Sequence, residues 1–243
     1  MRVRVVNPNT STAMTRDIHR AALTVAAPGT TIEAVSPEMG GPASIESHYD
    51  EALSVPGILA EVARGEESGV DGYVIACFGD PGLDAARELA SGPVVGIAEA
   101  AMRTATYLGR TFTVVTTLAR TRGRAWDLVE RYGVTKFCVG VHAVDIPVLD
   151  LDQNPDTLEK LTEACRTAIR EDDADAVVLG CAGMADLCAD ITKAIGAPVV
   201  DGVRAATLQV QSLITMALAT DKREEYAAPP PKRYTGLLRA FGV

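Results

Sequence analysis

Two stretches of this 243-residue chain constrain its fold more than any other. The first reads Gly72-Tyr73-Val74-Ile75-Ala76-Cys77-Phe78-Gly79 and the second Asp175-Ala176-Val177-Val178-Leu179-Gly180-Cys181-Ala182-Gly183. Each is a short apolar run, rich in β-branched residues, that stops at a cysteine with a glycine two positions on. Runs of this kind are parallel strands buried on both faces. They deliver residues to the carboxyl edge of an α/β sheet, where ligands bind. The likeness continues downstream, since Pro93-Val94-Val95 begins sixteen positions after Cys77 and Pro198-Val199-Val200 seventeen after Cys181. With its cysteines 104 residues apart, the chain reads as a duplicated half. Two matched cysteines on facing lobes make a natural acid/base pair.

Hydrophobic periodicity extends this to the whole chain. Strands are expected at 2–6, 31–36, 73–76 and 94–96, with helices over 13–26, 47–66, after Asp80, and over 99–108. The 47–66 helix should break or kink at Pro56-Gly57. The pattern then restarts, with strands at 111–117, 137–144, 176–180 and 198–200 and helices over 124–132, 155–170, 184–195 and 204–219. The fold class is α/β: two pseudo-symmetric lobes, each a parallel sheet flanked by helices, with the active site in the cleft between them. Residues 1–97 with 204–243 form one lobe and 98–203 the other. The tail, with Pro229-Pro230-Pro231, reads as an extended arm that contacts a neighbouring subunit, so a homo-oligomer is expected.

Composition removes several classes. A net charge of −9 argues against nucleic acid and anionic membrane as partners. No apolar stretch approaches the roughly 20 residues of a membrane span, and the opening Met1-Arg2-Val3 enters a strand at once, without a signal peptide. Five cysteines without short paired spacing fit a reducing cytoplasm rather than a disulfide framework. There is no CxxC or HExxH, and His19, His48 and His142 are scattered, so neither metal nor cofactor is expected. The dinucleotide fingerprint, the phosphate loop and the GxSxG elbow are likewise missing.

Three pieces together carry a family resemblance: Asn7-Pro8-Asn9-Thr10, Ile75-Ala76-Cys77-Phe78-Gly79-Asp80-Pro81-Gly82-Leu83 and Val178-Leu179-Gly180-Cys181-Ala182-Gly183-Met184. With Gly41-Pro42-Ala43-Ser44-Ile45-Glu46 and Val115-Thr116-Thr117-Leu118, they resemble the hydantoin racemase branch of the aspartate/glutamate racemase superfamily. His142-Ala143-Val144-Asp145-Ile146-Pro147-Val148-Leu149 and Asp201-Gly202-Val203 look more like allantoin racemases than enzymes for bulky hydantoins. The resemblance implies a cofactor-independent racemase acting on a small molecule.

The chemistry asks for residues of these types. A racemase takes a proton from one face of a carbon and returns one to the other, which two acid/base groups on opposite walls accomplish. Cys77 and Cys181 are the candidates; Cys138, Cys165 and Cys188 read as packing residues. Asp80-Pro81 reads as an N-cap with proline at the first helical position, which would place Cys77 just ahead of a helix and lower its pKa. The enolate oxygen needs donors in place, for which the backbone amides of Phe78, Gly79, Ala182 and Gly183 are candidates. Thr116, Thr117 and Asn9 add hydroxyls and an amide, and Ser44 belongs to the turn-rich loop 37–44, a lid or a plain connection. His48 and Glu46 read as surface or capping residues. Because these motifs hold no Lys or Arg to meet a carboxylate, a neutral cyclic amide suits them better than a free amino acid. The alternatives are a racemase of bulkier hydantoins, one acting on aspartate or glutamate, and a two-lobed binding protein that closes on a ligand without turning it over.

Overall fold

Fully buried strands form the centre of each half of the molecule. A computed structural model describes residues 1–242. In the first half β1 (Arg2–Val6), β2 (Thr31–Val35), β3 (Gly72–Ile75) and β4 (Val94–Gly96) alternate with α1 (Thr12–Leu23), α2 (His48–Glu67), α3 (Leu83–Leu89) and α4 (Ile97–Ala105). The second half repeats this with β5 (Phe112–Thr116), β6 (Cys138–Ala143), β7 (Ala176–Gly180) and β8 (Val199–Val200). Its helices are α5 (Arg122–Arg131), α6 (Thr157–Asp172), α7 (Cys188–Ile195) and α8 (Gly202–Thr215). The two parallel sheets have orders β2-β1-β3-β4 and β6-β5-β7-β8, one topology used twice. Among the described residues no helix is long and apolar enough to cross a membrane.

The register places the functional ends side by side. Val6 pairs with Ile75, so the Asn7–Asn9 turn emerges next to Cys77, and Thr116 pairs with Gly180, so Thr117 emerges next to Cys181. In both sheets these are the neighbouring strands from which the chain leaves in opposite directions, the switch point where open α/β sheets bind ligands.

Helices cover both faces of each sheet. Met14, Ile18, Ala21 and Ala22 form the buried stripe of α1, whose start is capped by Ser11 accepting from the Met14 amide at 3.3 Å. The last helix of each half crosses to the other. Ala98, Ala101, Met102 and Ala105 of α4 join the core on the β5–β7 sheet, while Val203, Ala206 and Val210 of α8 join the core beneath β1 and β3. Small side chains let these helices approach. A Cβ on Gly202 would lie 2.7 Å from the Ile97 carbonyl oxygen, so the start of α8 fits against α4 only as glycine.

Two local expectations change. The helix through Pro56 does not break, and α2 runs from His48 to Glu67. Proline leaves only the Ala52 carbonyl without its helical donor, and Ala52 is exposed to water. The helix expected over 184–195 is a 3₁₀ segment, Ala182–Leu187, followed by α7. Between α8 and Pro229 the chain lies against α3, with Lys222 donating to the Glu88 carbonyl at 3.0 Å and Tyr226 to Asp84 at 3.2 Å.

Asp201 caps α8 by accepting from the amides of Val203 at 2.9 Å and Arg204 at 3.2 Å, and pairs with the Arg204 guanidinium at 3.1 Å. Because α8 joins the two sheets, Asp201→Ala should lower the unfolding free energy by about 2 kcal/mol, read from the urea midpoint.

Candidate active site

β3 and β7 end where the two sheets face one another, and each releases its cysteine there. Cys77 and Cys181 line one cavity of about 190 Å³, and both are partly exposed to it. The other three cysteines are buried: Cys138 in the core on one face of the second sheet, Cys165 and Cys188 on the other. They are packing residues, as expected.

The cavity is poorly solvated, and this decides the state of the thiols. Desolvation pushes Cys77 up to about 12 and Cys181 up to about 11. Against this, the Gly79 amide facing the Cys77 sulfur and the Gly183 amide facing that of Cys181 favour the thiolates. Negative charge on Cys181 raises Cys77 further, as do Glu51 and Asp80; Asp152 and Glu46 do the same for Cys181. The thiols therefore rest protonated at neutral pH, and a thiolate on one opposes a thiolate on the other. The helix-start lowering expected for Cys77 is outweighed by burial.

Asn9, Phe78, Gly79, Thr116, Thr117 and Ala182 line the same cavity as the cysteines. Thr116 Oγ1 donates to the Gly180 carbonyl at 3.3 Å and lies 3.0 Å from Thr121 Oγ1. Asn9 Oδ1 accepts from Asn7 Nδ2 and the Ser11 amide, both at 2.9 Å, while among the described residues its Nδ2 meets only Met14 Sδ at 3.1 Å. One Asn9 N–H is thereby left for a ligand. Two expected residues stand apart. Gly183 contributes its amide to Cys181 but borders a neighbouring hollow with Asp152 and Asp186. Ser44 stops short of the cavity, which this part of the chain first lines at Ile45. The serine that reaches it is Ser47, which also caps α2 by accepting from the Asp50 amide at 3.2 Å.

Asp80 is not the cap of its own helix. It has φ +45°, and α3 begins only at Leu83, behind a left-handed Gly82. Its carboxylate instead caps α4, accepting from the amides of Ala98 at 3.1 Å and Glu99 at 2.9 Å and from the Tyr132 hydroxyl at 2.6 Å. A Cβ on Gly96 would fall 2.3 Å from the Asp80 carboxyl carbon, so glycine is what lets that carboxylate in. Asp80 thereby ties the Cys77 loop to α4 and to α5, at whose end Tyr132 stands.

Several charged groups also line the cavity: Glu46 and His48, which read from the sequence as surface or capping residues, and Glu51, Arg120 and Arg124, which no motif singled out. Glu46 Oε1 accepts from the Val148 amide at 2.7 Å, joining the first half to the second. Arg124, from the first turn of α5, donates to Glu51 of α2 at 2.5 Å and to the Gly79 carbonyl at 2.8 Å. The absence of cations from the motifs therefore did not mean their absence from the site. The capping sequence Ser47-His48-Tyr49-Asp50 was the available signal, since it marks the mouth of α2. Nothing local marks Arg124. Among the described residues no group of three or more His, Cys, Asp or Glu stands close enough to hold a metal ion.

Two parallel half-sheets sharing one cleft define a class of two-lobed α/β enzymes. Glutamate racemase RacE1 from Bacillus anthracis has this fold, with a TM-score of 0.67 at 17% identity over 90% of this chain and 84% of that one. Residues 3–210 match the model of the Asp/Glu/hydantoin racemase family, and the chain belongs to that family. It is 46% identical over its whole length to a hydantoin racemase of Pseudomonas sp. (strain NS671), covering 97% of that protein. To the hydantoin racemase of Rhizobium meliloti it is 47% identical, over 97% of this chain and 98% of the relative. Its structure superposes on allantoin racemase from Klebsiella pneumoniae with a TM-score of 0.97 at 49% identity, covering 100% and 99% of the two chains. The protein is thus an isomerase of the racemase type.

Burial raises Asp80 to about 6 from 3.8, against the lowering effect of Tyr132 and of the Glu99 and Ala98 amides. In the unfolded chain the carboxyl ionises near 3.8, whereas the folded protein holds its proton to about 6. Stability from this group is full below pH 3.8 and is lost as the pH rises through 6. Relative to the wild type, Asp80→Asn should gain about 3 kcal/mol between pH 3.5 and pH 6.5, measured by urea unfolding at the two pH values.

Proposed function

We propose that this protein racemises a 5-substituted hydantoin, allantoin in particular, by proton transfer at C5 between Cys77 and Cys181. The observation that carries the reading is that two thiols from equivalent strand ends open onto one cavity. The names of the relatives support the hydantoin ring, and those of two solved structures support allantoin. The cavity of about 190 Å³ is smaller than the roughly 300–1,000 Å³ of sites for drug-sized ligands. That favours a compact ring over one carrying a bulky aryl group.

In the proposed reaction one cysteine, as thiolate, removes the C5 proton and becomes a thiol. The electron pair passes into the adjacent carbonyl as an enolate. The second cysteine delivers its proton to the opposite face and is left as thiolate, so protons balance and the opposite enantiomer reverses the path. The spare Asn9 N–H and the Thr117 hydroxyl are the donors assigned to ring and enolate oxygens. The Gly79 and Gly183 amides stabilise whichever sulfur carries charge.

Enantiopure allantoin in deuterated buffer with reductant should lose its circular dichroism far faster than in the uncatalysed control, gaining one deuteron at C5. Cys77→Ser and Cys181→Ser should each reduce racemisation at least about 100-fold. Persistence of the signal with wild-type protein would remove allantoin as substrate. Because both thiols are raised to about 11–12, the thiolate fraction climbs tenfold per pH unit below that range. kcat/KM should therefore rise steadily from pH 7 to 8.5, and a flat profile over that interval would exclude a thiolate base.

A further inference from the structure

We infer that Glu51 and Arg124 are the specificity-determining pair of this site, reading a ureido substituent on C5 through one acceptor and one donor. The inference rests on the hydantoin racemase reading and adds to it the groups that choose among hydantoins.

Arg124 Nη2 is taken up by Glu51 Oε1 and the Gly79 carbonyl. Its Nη1 has no hydrogen-bond partner among the described residues, and neither has Glu51 Oε2; neither atom is sealed from solvent. Arg124 Nε is buried without an acceptor, which leaves the guanidinium under-bonded on both remaining nitrogens. Both side chains line the cavity that holds the two cysteines, and Glu51 is near enough to Cys77 to raise its pKa. The other cavity carboxylate, Glu46, is already engaged with the Val148 amide.

The pair is neutral overall, so it has no net attraction for a charged substituent. It offers a carboxylate oxygen to N–H donors and a guanidinium N–H to a carbonyl oxygen. A ureido group, –NH–CO–NH₂, supplies both partners within four heavy atoms. An isobutyl group has the same number of heavy atoms in the same branching and supplies neither. It would cover Oε2 and Nη1 without replacing the water they lose, and buried polar groups left unpaired are what make such sites reject an isostere. The geometry also suits a racemase. At the enolate, C5 is planar with the thiols above and below it. The substituent then lies in the ring plane, so one pair of residues can hold it for both enantiomers.

The test compares allantoin with 5-isobutylhydantoin, each rate divided by its own uncatalysed rate, in wild type, Glu51→Gln and Arg124→Lys. The lysine keeps a cation opposite Glu51 and removes the forked donors. Wild type should favour allantoin by at least about 30-fold. In each variant the ratio of kcat/KM for allantoin to that for 5-isobutylhydantoin should fall about 30-fold or more, with the urea unfolding midpoint showing that the variant is folded. Equal losses on both substrates would make the pair a structural clamp between α2 and α5 and overturn the inference. So would a wild type without preference for allantoin, a result that needs no variant. Turnover of neither hydantoin by wild type would overturn the proposed function itself, and this inference with it.

Discussion

The site depends on the contact between α4 and α8, the closing helices of the two halves. Each leaves its own sheet and packs on the other, and they meet where Gly202 lies against the Ile97 carbonyl. Without that exchange the molecule would be two sheets joined by a linker, each with one apolar face open to water. With it the two switch points are brought face to face and a single cleft is enclosed. The alanines of α4 matter because small side chains leave room for burial on two sides of one helix. Asp80 and Asp201 fasten the starts of the same two helices, so the polar caps and the apolar contact hold one joint.

The joint also sets the chemistry. The sulfurs sit deep between the two sheets, and the dominant influence on both thiols is desolvation. Glu51, Asp80, Glu46 and Asp152 add to it, whereas only one backbone amide per thiol opposes it. A thiolate in such a place is scarce but strongly basic, which suits a weakly acidic C–H bond. In the proposed reaction the enolate charge falls to donors on the cavity wall, an asparagine N–H and threonine hydroxyls.

What the sequence disclosed, it disclosed through features with a local signature. Buried parallel strands are continuous apolar runs, so β3 and β7, the cysteines after them and the repeated topology were legible. Asn9, Thr116 and Thr117 were legible because they end strands whose register is dictated by those runs. Residues placed by tertiary contact were not. Asp80 carries the look of an N-cap, but its partners are the amides of Ala98 and Glu99, beyond an intervening helix and strand. Arg124 looks like any exposed helix residue until α2 brings Glu51 within 2.5 Å of it. Ser44 and Ser47 differ only in which one falls at the start of α2, a boundary that periodicity sets to within a few residues.

The same division explains why the cysteine motifs alone cannot choose a substrate. In the proposed reaction the strand ends supply the parts that racemisation beside a carbonyl needs: a base, an acid and donors for the enolate. They come from a parallel-sheet geometry used twice, so they are similar in both halves. The groups that break the symmetry come from elsewhere, from the mouth of α2 and the first turn of α5, where the cavity carries opposed charges bonded to one another. A symmetric pair of thiols is suited to treating two mirror-image faces alike. In the proposed assignment the unsymmetric pair of charges to one side of them meets the C5 substituent, which lies in the ring plane at the enolate of either enantiomer.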